Sequence, residues 1–169
     1  IISRLEFLGA EKVLEARLIT KDYDFPDGHL SRAHLRYRVR YDGKSAVVCS
    51  KRRIESEVYK KRQKRTLEGS FDDACDILEG LGLVCVSEVH KDRTSFILNG
   101  VRYGINQLPR IPAYVEVESV GSEDFVKEGV ELLGYKMSDT TNLNEKEVLK
   151  KFYGIDLSKA PVLKFYHQE

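Results

Sequence analysis

The sequence is nearly balanced in charge and has only three cysteines. The charge balance bears on nucleic-acid binding, and the cysteines bear on the redox compartment. The 28 Lys and Arg residues nearly balance the 27 Asp and Glu residues, so the net charge is only +1. Because nucleic-acid-binding domains usually carry a clear basic excess, nucleic acid is not an expected partner. The three cysteines are odd in number and form no C-x-x-C pair. They predict reduced thiols in a cytoplasmic protein.

Long apolar runs, internal repeats and low-complexity linkers are also lacking. No apolar stretch approaches the roughly 20 residues that a membrane-spanning helix needs, so no membrane partner is expected. The 169 residues suffice for one domain with a hydrophobic core of its own. The chain begins without Met, and residues 1–8 read as the second half of an amphipathic helix. We therefore expect a segment upstream of this numbering.

Charged residues occupy every second position in five segments, with apolar residues between them. Because strand side chains alternate between two faces, each set of charges lies on one face. Cations bind phosphates, and clustered carboxylates bind Mg²⁺ or Mn²⁺, so a pocket with both suits a metal–polyphosphate complex. The charged positions are Arg36, Arg38 and Arg40; Lys51, Arg53, Glu55 and Glu57; Lys91 and Arg93; Arg102; and Glu116 and Glu118.

Turn and cap signals predict an α+β fold with antiparallel strands. Asp42-Gly43 and Asn99-Gly100 each join two alternating segments, as tight hairpin turns do. Ser70, Ser122 and Asn144 each precede an amphipathic segment, as N-caps do. A sheet with charges on one face and apolar residues on the other can close into a barrel with a polar lumen. The predicted strands are 14–20, 35–41, 45–53, 55–61, 83–89, 93–98, 101–105 and 114–120, with a loop over 22–34.

Four segments resemble motifs of the CYTH superfamily, which comprises class IV adenylyl cyclases, thiamine triphosphatases and inorganic triphosphatases. Residues 38–51 resemble its R-I-R…G…L-T-x-K segment, and residues 53–57 resemble R-x-E-x-E. Residues 91–93 resemble K-x-R, and residues 106–118 resemble D-x-V-x-x-L-G-x-F-V-E-I-E. The four occur in the family's order over about residues 35 to 135, which makes the combination more specific than any one motif.

The resemblance implies an eight-stranded antiparallel barrel, a triphosphate tunnel with a polar lumen and helices packed outside. It implies one such domain over residues 1–169, with a C-terminal helical extension over 136–169. The bound partner would be a triphosphate or a nucleoside triphosphate, with Mg²⁺ or Mn²⁺ as cofactor. Implied phosphate ligands are Arg38, Arg40, Lys51, Arg53, Lys91, Arg93 and, more weakly, Arg102. Implied metal ligands are Glu55, Glu57, Glu116 and Glu118.

The chain departs from the family pattern in two places. The family's N-terminal E-x-E-x-K strand, which supplies metal-binding acids and a lysine, would lie upstream of Leu5. Asn106 stands where the family usually has Asp. Because asparagine keeps one acceptor oxygen but loses the charge, metal binding or hydroxyl activation at this position is in question.

Several functions remain open at this point. Attack by water would make the chain a triphosphatase, whereas attack by a ribose 3′-hydroxyl would make it an adenylyl cyclase. The departures motivate an alternative, a catalytically impaired module that binds a nucleotide or polyphosphate. The basic run over residues 60–65 could instead serve a scaffold, and the charged rows could simply face solvent. The catalytic residues are unknown, and the oligomeric state is undetermined, with a homodimer open.

Overall fold

The computed structural model describes residues 1–52, 62–64, 70–119 and 123–165. The chain forms two compact units. Unit 1 contains Ile1–Ala16 and Lys91–Ile155, and unit 2 contains Arg17–His90 and Asp156–Glu169. Two long strands, β1 (Glu11–Asp24) and β5 (Val84–Leu98), contribute residues to both units.

The strands form one sheet in the order β4-β3-β2-β1-β5-β6-β7. A short strand, β8, pairs in parallel with β5. The registers of β1 with β2, β2 with β3, β3 with β4, β5 with β6 and β6 with β7 are antiparallel. The α+β class with antiparallel pairing is therefore confirmed. Among the described residues the order is an open path, so the closed eight-stranded barrel stays a prediction. The remaining strands are β2 (Leu35–Tyr41), β3 (Ala46–Arg52), β4 (Arg62–Lys64), β6 (Val101–Gln107), β7 (Tyr114–Ser119) and β8 (Val162–Leu163).

Five helices accompany the sheet in the described ranges. They are α1 (Ile2–Phe7), α2 (His29–Arg32), α3 (Phe71–Gly80), α4 (Glu123–Leu132) and α5 (Glu145–Tyr153), with a 3₁₀ turn at Met137–Asp139. Ser70 and Asn144 form the predicted capping boxes with Asp73 and Glu147. The predicted Ser122 cap lies outside the described residues. None of the described helices has the length and apolar composition that a membrane crossing requires.

In unit 2, the hairpin of β2 and β3 packs its apolar face against α3. Val39 and Ala46 from the hairpin join Tyr23 from β1 and Leu78 from α3 in one core. The predicted apolar face of α3 was partly wrong, because Ile77 and Leu81 are exposed. Cys75 is buried in their place, because it lies four residues after Phe71 and three before Leu78, on the same face of the helix. All three cysteines are free thiols.

In unit 1, the hairpin of β5 and β6 continues into β7. Asn99 and Gly100 both have positive φ angles, as the predicted tight turn between β5 and β6 requires. One face of these strands packs on α1 and the segment after α4. This core contains Leu5, Phe96, Val101, Tyr103 and Leu133.

Two predictions of element boundaries were wrong. The strands predicted over 83–89 and 93–98 belong to one continuous strand, β5 (Val84–Leu98), because the polar residues between them keep the alternation. Lys91 is buried within that strand and ion-paired. The predicted loop over 22–34 contains the end of β1 and the short helix α2.

The strand predicted over 55–61 lies outside the described residues. Most of the basic run over 60–65 does so as well, and only Arg62–Lys64 is described, as β4. The backbone of β4 pairs with β3, which places this part of the run in the sheet.

The end of β1 and α2 are joined through one buried carboxylate, Asp24. It accepts hydrogen bonds from the N–H groups of Phe25, Leu30 and Ser31 and from the Ser31 hydroxyl. Burial raises the pKa of Asp24, but these hydrogen bonds outweigh burial and hold the pKa below its ordinary value. The polar residues that suggested a loop therefore fix a compact turn.

We expect Asp24→Asn to lower the free energy of unfolding by about 2 kcal/mol at pH 7, since hydrogen bonds to a charged group are lost. Because the folded-state pKa is depressed, the carboxylate's contribution is complete above its unfolded pKa of about 3.9 and is lost as pH falls through the folded value. Urea unfolding from pH 7 to pH 3 should show the difference shrinking on the acid side. Asp76→Asn, at an exposed position of α3, is the control. An equal loss in both variants would contradict this role.

Candidate functional site

The charged positions of β5, β6 and β7 lie on one face of the sheet in unit 1. Arg93 is opposite Asn106, which is opposite Tyr114. Ser95 is likewise opposite Gly104, which is opposite Glu116, and the next row ends with Arg102 opposite Glu118. Directly paired residues share a face, and residues two apart on a strand do too. The structure therefore brings Lys91, Arg93, Arg102, Asn106, Glu116 and Glu118 to a single polar face.

Arg93 spans this face from β5 to β7. Its Nε donates to Ser95 Oγ at 3.0 Å, and its Nη1 donates to Glu116 Oε2 at 2.7 Å. The guanidinium passes over Gly104 on β6, where an added Cβ would lie 2.7 Å from Arg93 Cζ. Glycine weakens the interior of a strand and often marks a place where another group approaches the backbone closely. At position 104 that group is the buried Arg93 guanidinium.

Lys91 meets a carboxylate that comes from helix α5. The Lys91 ammonium donates to Glu145 Oε2 at 2.7 Å, and the Tyr114 hydroxyl donates to the same oxygen at 2.7 Å. The Lys91 side chain is only 6% exposed, so this partner offsets the cost of burying its charge. Burial, together with the charges of Glu145 and Glu116, raises the pKa of Tyr114 well above its usual value. Tyr114 therefore remains a hydrogen-bond donor at neutral pH.

Asn106 lies fully buried in the middle of the polar face. Its Nδ2 donates to the carbonyl of Gly104 at 3.0 Å, which fixes the orientation of the amide. Among the described residues, no donor reaches its Oδ1. A buried acceptor without a donor is costly, so this position holds an unused capacity to accept a hydrogen bond.

A second cluster in unit 2 gathers around Asp22 on β1. Its carboxylate accepts from Arg38 Nε at 2.7 Å and from Arg36 Nη1 at 3.3 Å. Ser87 Oγ on β5 lies 3.4 Å from the same carboxylate. Arg40 is opposite Thr20, and Arg38 is opposite Asp22, so the predicted arginines share this face of β2.

Sequence reasoning missed Asp22 of the unit 2 cluster and Glu145 beside the polar face of unit 1, and the signals for these two acids differ. Asp22 and Asp24 continue the alternation of β1 beyond Thr20, which could have extended the strand. The Pro26-Asp27-Gly28 turn signal masked that continuation. Glu145 carries no such signal, because an acid in the first turn of a helix is normally exposed and favours the helix dipole. The contacts of Glu145 with Lys91 and Tyr114 are seen only in the folded structure, where α5 packs against the strands.

The remaining predicted ligands are placed in part or not at all. Lys51 is opposite Arg36 in the backbone register of β3 with β2. Arg53, Glu55 and Glu57 lie outside the described residues. Within the ranges that are described, no three His, Cys, Asp or Glu side chains form a group that could hold a metal ion. The assignment of phosphate and metal ligands therefore stays a prediction.

We expect Gly104→Ala to displace the Arg93 guanidinium, which Ser95 and Glu116 hold against β6. Crowding of this kind typically lowers the free energy of unfolding by about 1 to 3 kcal/mol. The same change at Gly80, where an added Cβ meets nothing within 4 Å, should be neutral or slightly stabilising in α3. Urea unfolding of both variants measures the difference. Equal stability of the two variants would show that Gly104 is not needed for the guanidinium.

Solved structures share this fold at low sequence identity. A candidate adenylate cyclase from Vibrio parahaemolyticus superposes with a TM-score of 0.71 and 14% identity over 88% of this chain and 89% of its own. A conserved hypothetical protein from Pyrococcus furiosus gives 0.67 and 19% over 85% and 89%. A candidate adenylyl cyclase from Hippeastrum, described as revealing a dominant triphosphatase activity, gives 0.61 and 12% over 87% of each chain.

No curated protein matches the chain. The family model of the CYTH domain, however, matches residues 22–153, which include the Asp22 cluster, β5 to β7 and the whole of α5. This agrees with the resemblance of the four sequence motifs and with the fold of the solved structures. The chain belongs to the CYTH domain family.

Proposed function

We propose that this protein processes a triphosphate-containing substrate with the help of a divalent metal ion, on the polar face formed by β5, β6 and β7. The observation that supports it most is the buried Arg93 guanidinium, which lies over Gly104. Lys91 is on the same strand and the same face. In the free protein each of these cations is balanced by one carboxylate, Glu116 for Arg93 and Glu145 for Lys91. A triphosphate carries several negative charges, so it could pair with both cations at once.

The residues around Arg93 prepare it for this role. Ser95 and Glu116 each take one hydrogen bond from the guanidinium and so fix its plane before a ligand arrives. A fixed guanidinium can present a planar fork to phosphate oxygens at little further cost in entropy. Lys91 supplies a point charge on the same strand. By the family motifs, Arg38, Arg40, Lys51 and Arg53 contact other phosphate oxygens, and Arg102 contributes more weakly.

The acids of β7 suit a divalent metal ion by their chemistry. Glu116 and Glu118 lie on the same face, and Mg²⁺ is commonly held by one or two carboxylates together with substrate phosphates. Glu55 and Glu57 are the further ligands that the motifs suggest. When bound, Mg²⁺ or Mn²⁺ would offset charge on the phosphate oxygens and help to orient the reacting groups.

Hydrolysis is the reaction that we favour. Water would attack the terminal phosphorus, and the bond to the bridging oxygen would break to release phosphate and a diphosphate. Cyclisation would instead join a ribose 3′-oxygen to the α-phosphorus and release diphosphate. The dominant triphosphatase activity described for the Hippeastrum protein supports testing hydrolysis first. We also propose that the sheet closes into the family's eight-stranded barrel around the substrate.

A second candidate function is binding without turnover. Asn106 is fully buried, and it is neutral where the family usually has a carboxylate. If that carboxylate is needed for chemistry, the protein would hold a triphosphate or nucleotide and release it unchanged. Calorimetry with inorganic triphosphate distinguishes the two functions, since this one requires binding without product.

We expect the protein to hydrolyse inorganic triphosphate, ATP or thiamine triphosphate in the presence of Mg²⁺ or Mn²⁺. In Arg93→Lys the charge remains but the planar fork is lost, so kcat/KM should fall by about 10-fold to 100-fold. Phosphate release measures the rate. Arg32→Lys, at an exposed position of α2, should leave it unchanged. Unaltered turnover in Arg93→Lys would remove the main support for the site.

We expect Glu116→Gln combined with Glu118→Gln to abolish metal-dependent turnover, because the β7 carboxylates are replaced by neutral amides. The protein should still fold, since an amide oxygen at position 116 can accept from Arg93. Titration of Mg²⁺ against activity, with thermal unfolding in parallel, measures both effects. Glu128→Gln with Glu131→Gln on the exposed side of α4 is the matched control. Full activity of the β7 double variant would disprove metal binding by this strand.

A further inference from the structure

Helix α5 places an acid against the candidate site. Glu145 is the first residue of α5, and its Oε2 receives hydrogen bonds from both Lys91 and Tyr114 at 2.7 Å. Two donors from different strands, one of them a buried ammonium, thus converge on a single anionic oxygen. Convergence of this kind is the geometry of an anion-binding site, and here the anion is part of the chain.

The Tyr114 hydroxyl restricts what this site can hold. A phenol has one hydrogen, so it donates either to Glu145 or to an oxygen of a ligand, but not to both. A phenol ordinarily loses that hydrogen only at about pH 10, so the hydrogen is in place at neutral pH. The family motif has Phe at this position, so the hydroxyl is a feature of this chain.

The position of Lys91 makes the site continuous with Arg93. The two residues are two apart on β5 and share a face, so their Cα atoms are about 6.6 Å apart along the strand. A triphosphate presents its anionic oxygens over a comparable length. A phosphate on Arg93 would therefore bring its neighbour close to the Glu145 carboxylate, and the two negative charges would repel each other.

We propose that Lys91 and Tyr114 form a phosphate subsite that Glu145 occupies in the absence of substrate, and that a phosphate group of the substrate displaces this carboxylate. The inference rests on the proposed function, because it assumes that the ligand is a triphosphate. The Glu145 side chain is 18% exposed, so it already reaches the surface. We expect rotation of the side chain about its own bonds to move the carboxylate into water. Leu149, fully buried one turn later, keeps α5 in place.

The subsite makes Glu145 a determinant of affinity. While Glu145 stays on Lys91, a weakly charged or short anion gains too little to displace it. A ligand that also binds Arg93 gains enough, so the internal carboxylate favours polyphosphates over single phosphates. Two mutually exclusive ligands of one site are linked in this way by a coupling free energy.

Calorimetry with inorganic triphosphate at fixed ionic strength tests the subsite. Glu145→Gln removes the competing charge, and we expect its Kd to be about tenfold lower than that of the unaltered protein. Glu147→Gln is the matched control, because it lies in the same exposed turn of α5 and an amide still completes the capping box. Its Kd should not change.

A second variant tests the hydroxyl. Adding Tyr114→Phe to Glu145→Gln should weaken binding about fivefold relative to Glu145→Gln alone, since only the phosphate contact is then lost. If Glu145→Gln does not fold, as thermal unfolding would reveal, Glu145→Asp replaces it. Its shorter side chain keeps the charge but withdraws it from both donors, so tighter binding is again expected.

The outcomes separate the subsite from the proposed function. Triphosphate hydrolysis by the unaltered protein with an unchanged Kd in Glu145→Gln would overturn the subsite alone. Absence of both binding and hydrolysis in all variants would overturn both. Tenfold tighter binding without hydrolysis would support the subsite and favour binding without turnover. No effect of Tyr114→Phe in the Glu145→Gln background would remove the hydroxyl from the subsite.

Discussion

The contact on which the candidate site depends is the one between Arg93 and the strands beside it. The guanidinium starts on β5, crosses β6 where Gly104 leaves room, and ends on Glu116 of β7. Three features of this arrangement are unfavourable by themselves: the Arg93 charge is buried, a glycine stands inside strand β6, and the Glu116 carboxylate is committed to one partner. These costs are offset in the free protein by the ion pair and the Ser95 hydrogen bond, which keep the guanidinium in one orientation.

Other cations that the structure describes are held in a similar way. The buried Arg93 and Lys91 pair with Glu116 and Glu145 in unit 1, and the half-buried Arg38 pairs with Asp22 in unit 2. Under the proposed function, a phosphate ligand on the face of β5, β6 and β7 would therefore meet charges that are already balanced, and it would exchange partners with Glu116 or Glu145. Exchange makes binding selective, because only an anion with several oxygens in the right places replaces several partners at once. Under the same proposal, the acids of β7 would then be able to bind a divalent cation that accompanies the phosphates.

Alternation was enough to predict which residues share a face. Spacing placed Lys91 with Arg93, and Glu116 with Glu118, on one face of their own strands, whereas Asn106 was identified only through the family motif. The registers of β5, β6 and β7 bring these separate sets together. The partners could not be predicted in the same way. Asp22 was assigned to a loop because local turn residues follow it, and Glu145 lies in a separate helix, far along the chain from Lys91. Such contacts depend on how elements pack, which spacing within one strand does not encode.

A crystal structure of the full chain with inorganic triphosphate and Mg²⁺ is the most direct test of the role assigned to this face. The predicted result has phosphate oxygens within hydrogen-bond distance of the Arg93 guanidinium and the Lys91 ammonium, with the Glu145 carboxylate turned to solvent. A triphosphate bound elsewhere, with Arg93 still on Glu116 and Lys91 still on Glu145, would show that these ion pairs only stabilise the sheet.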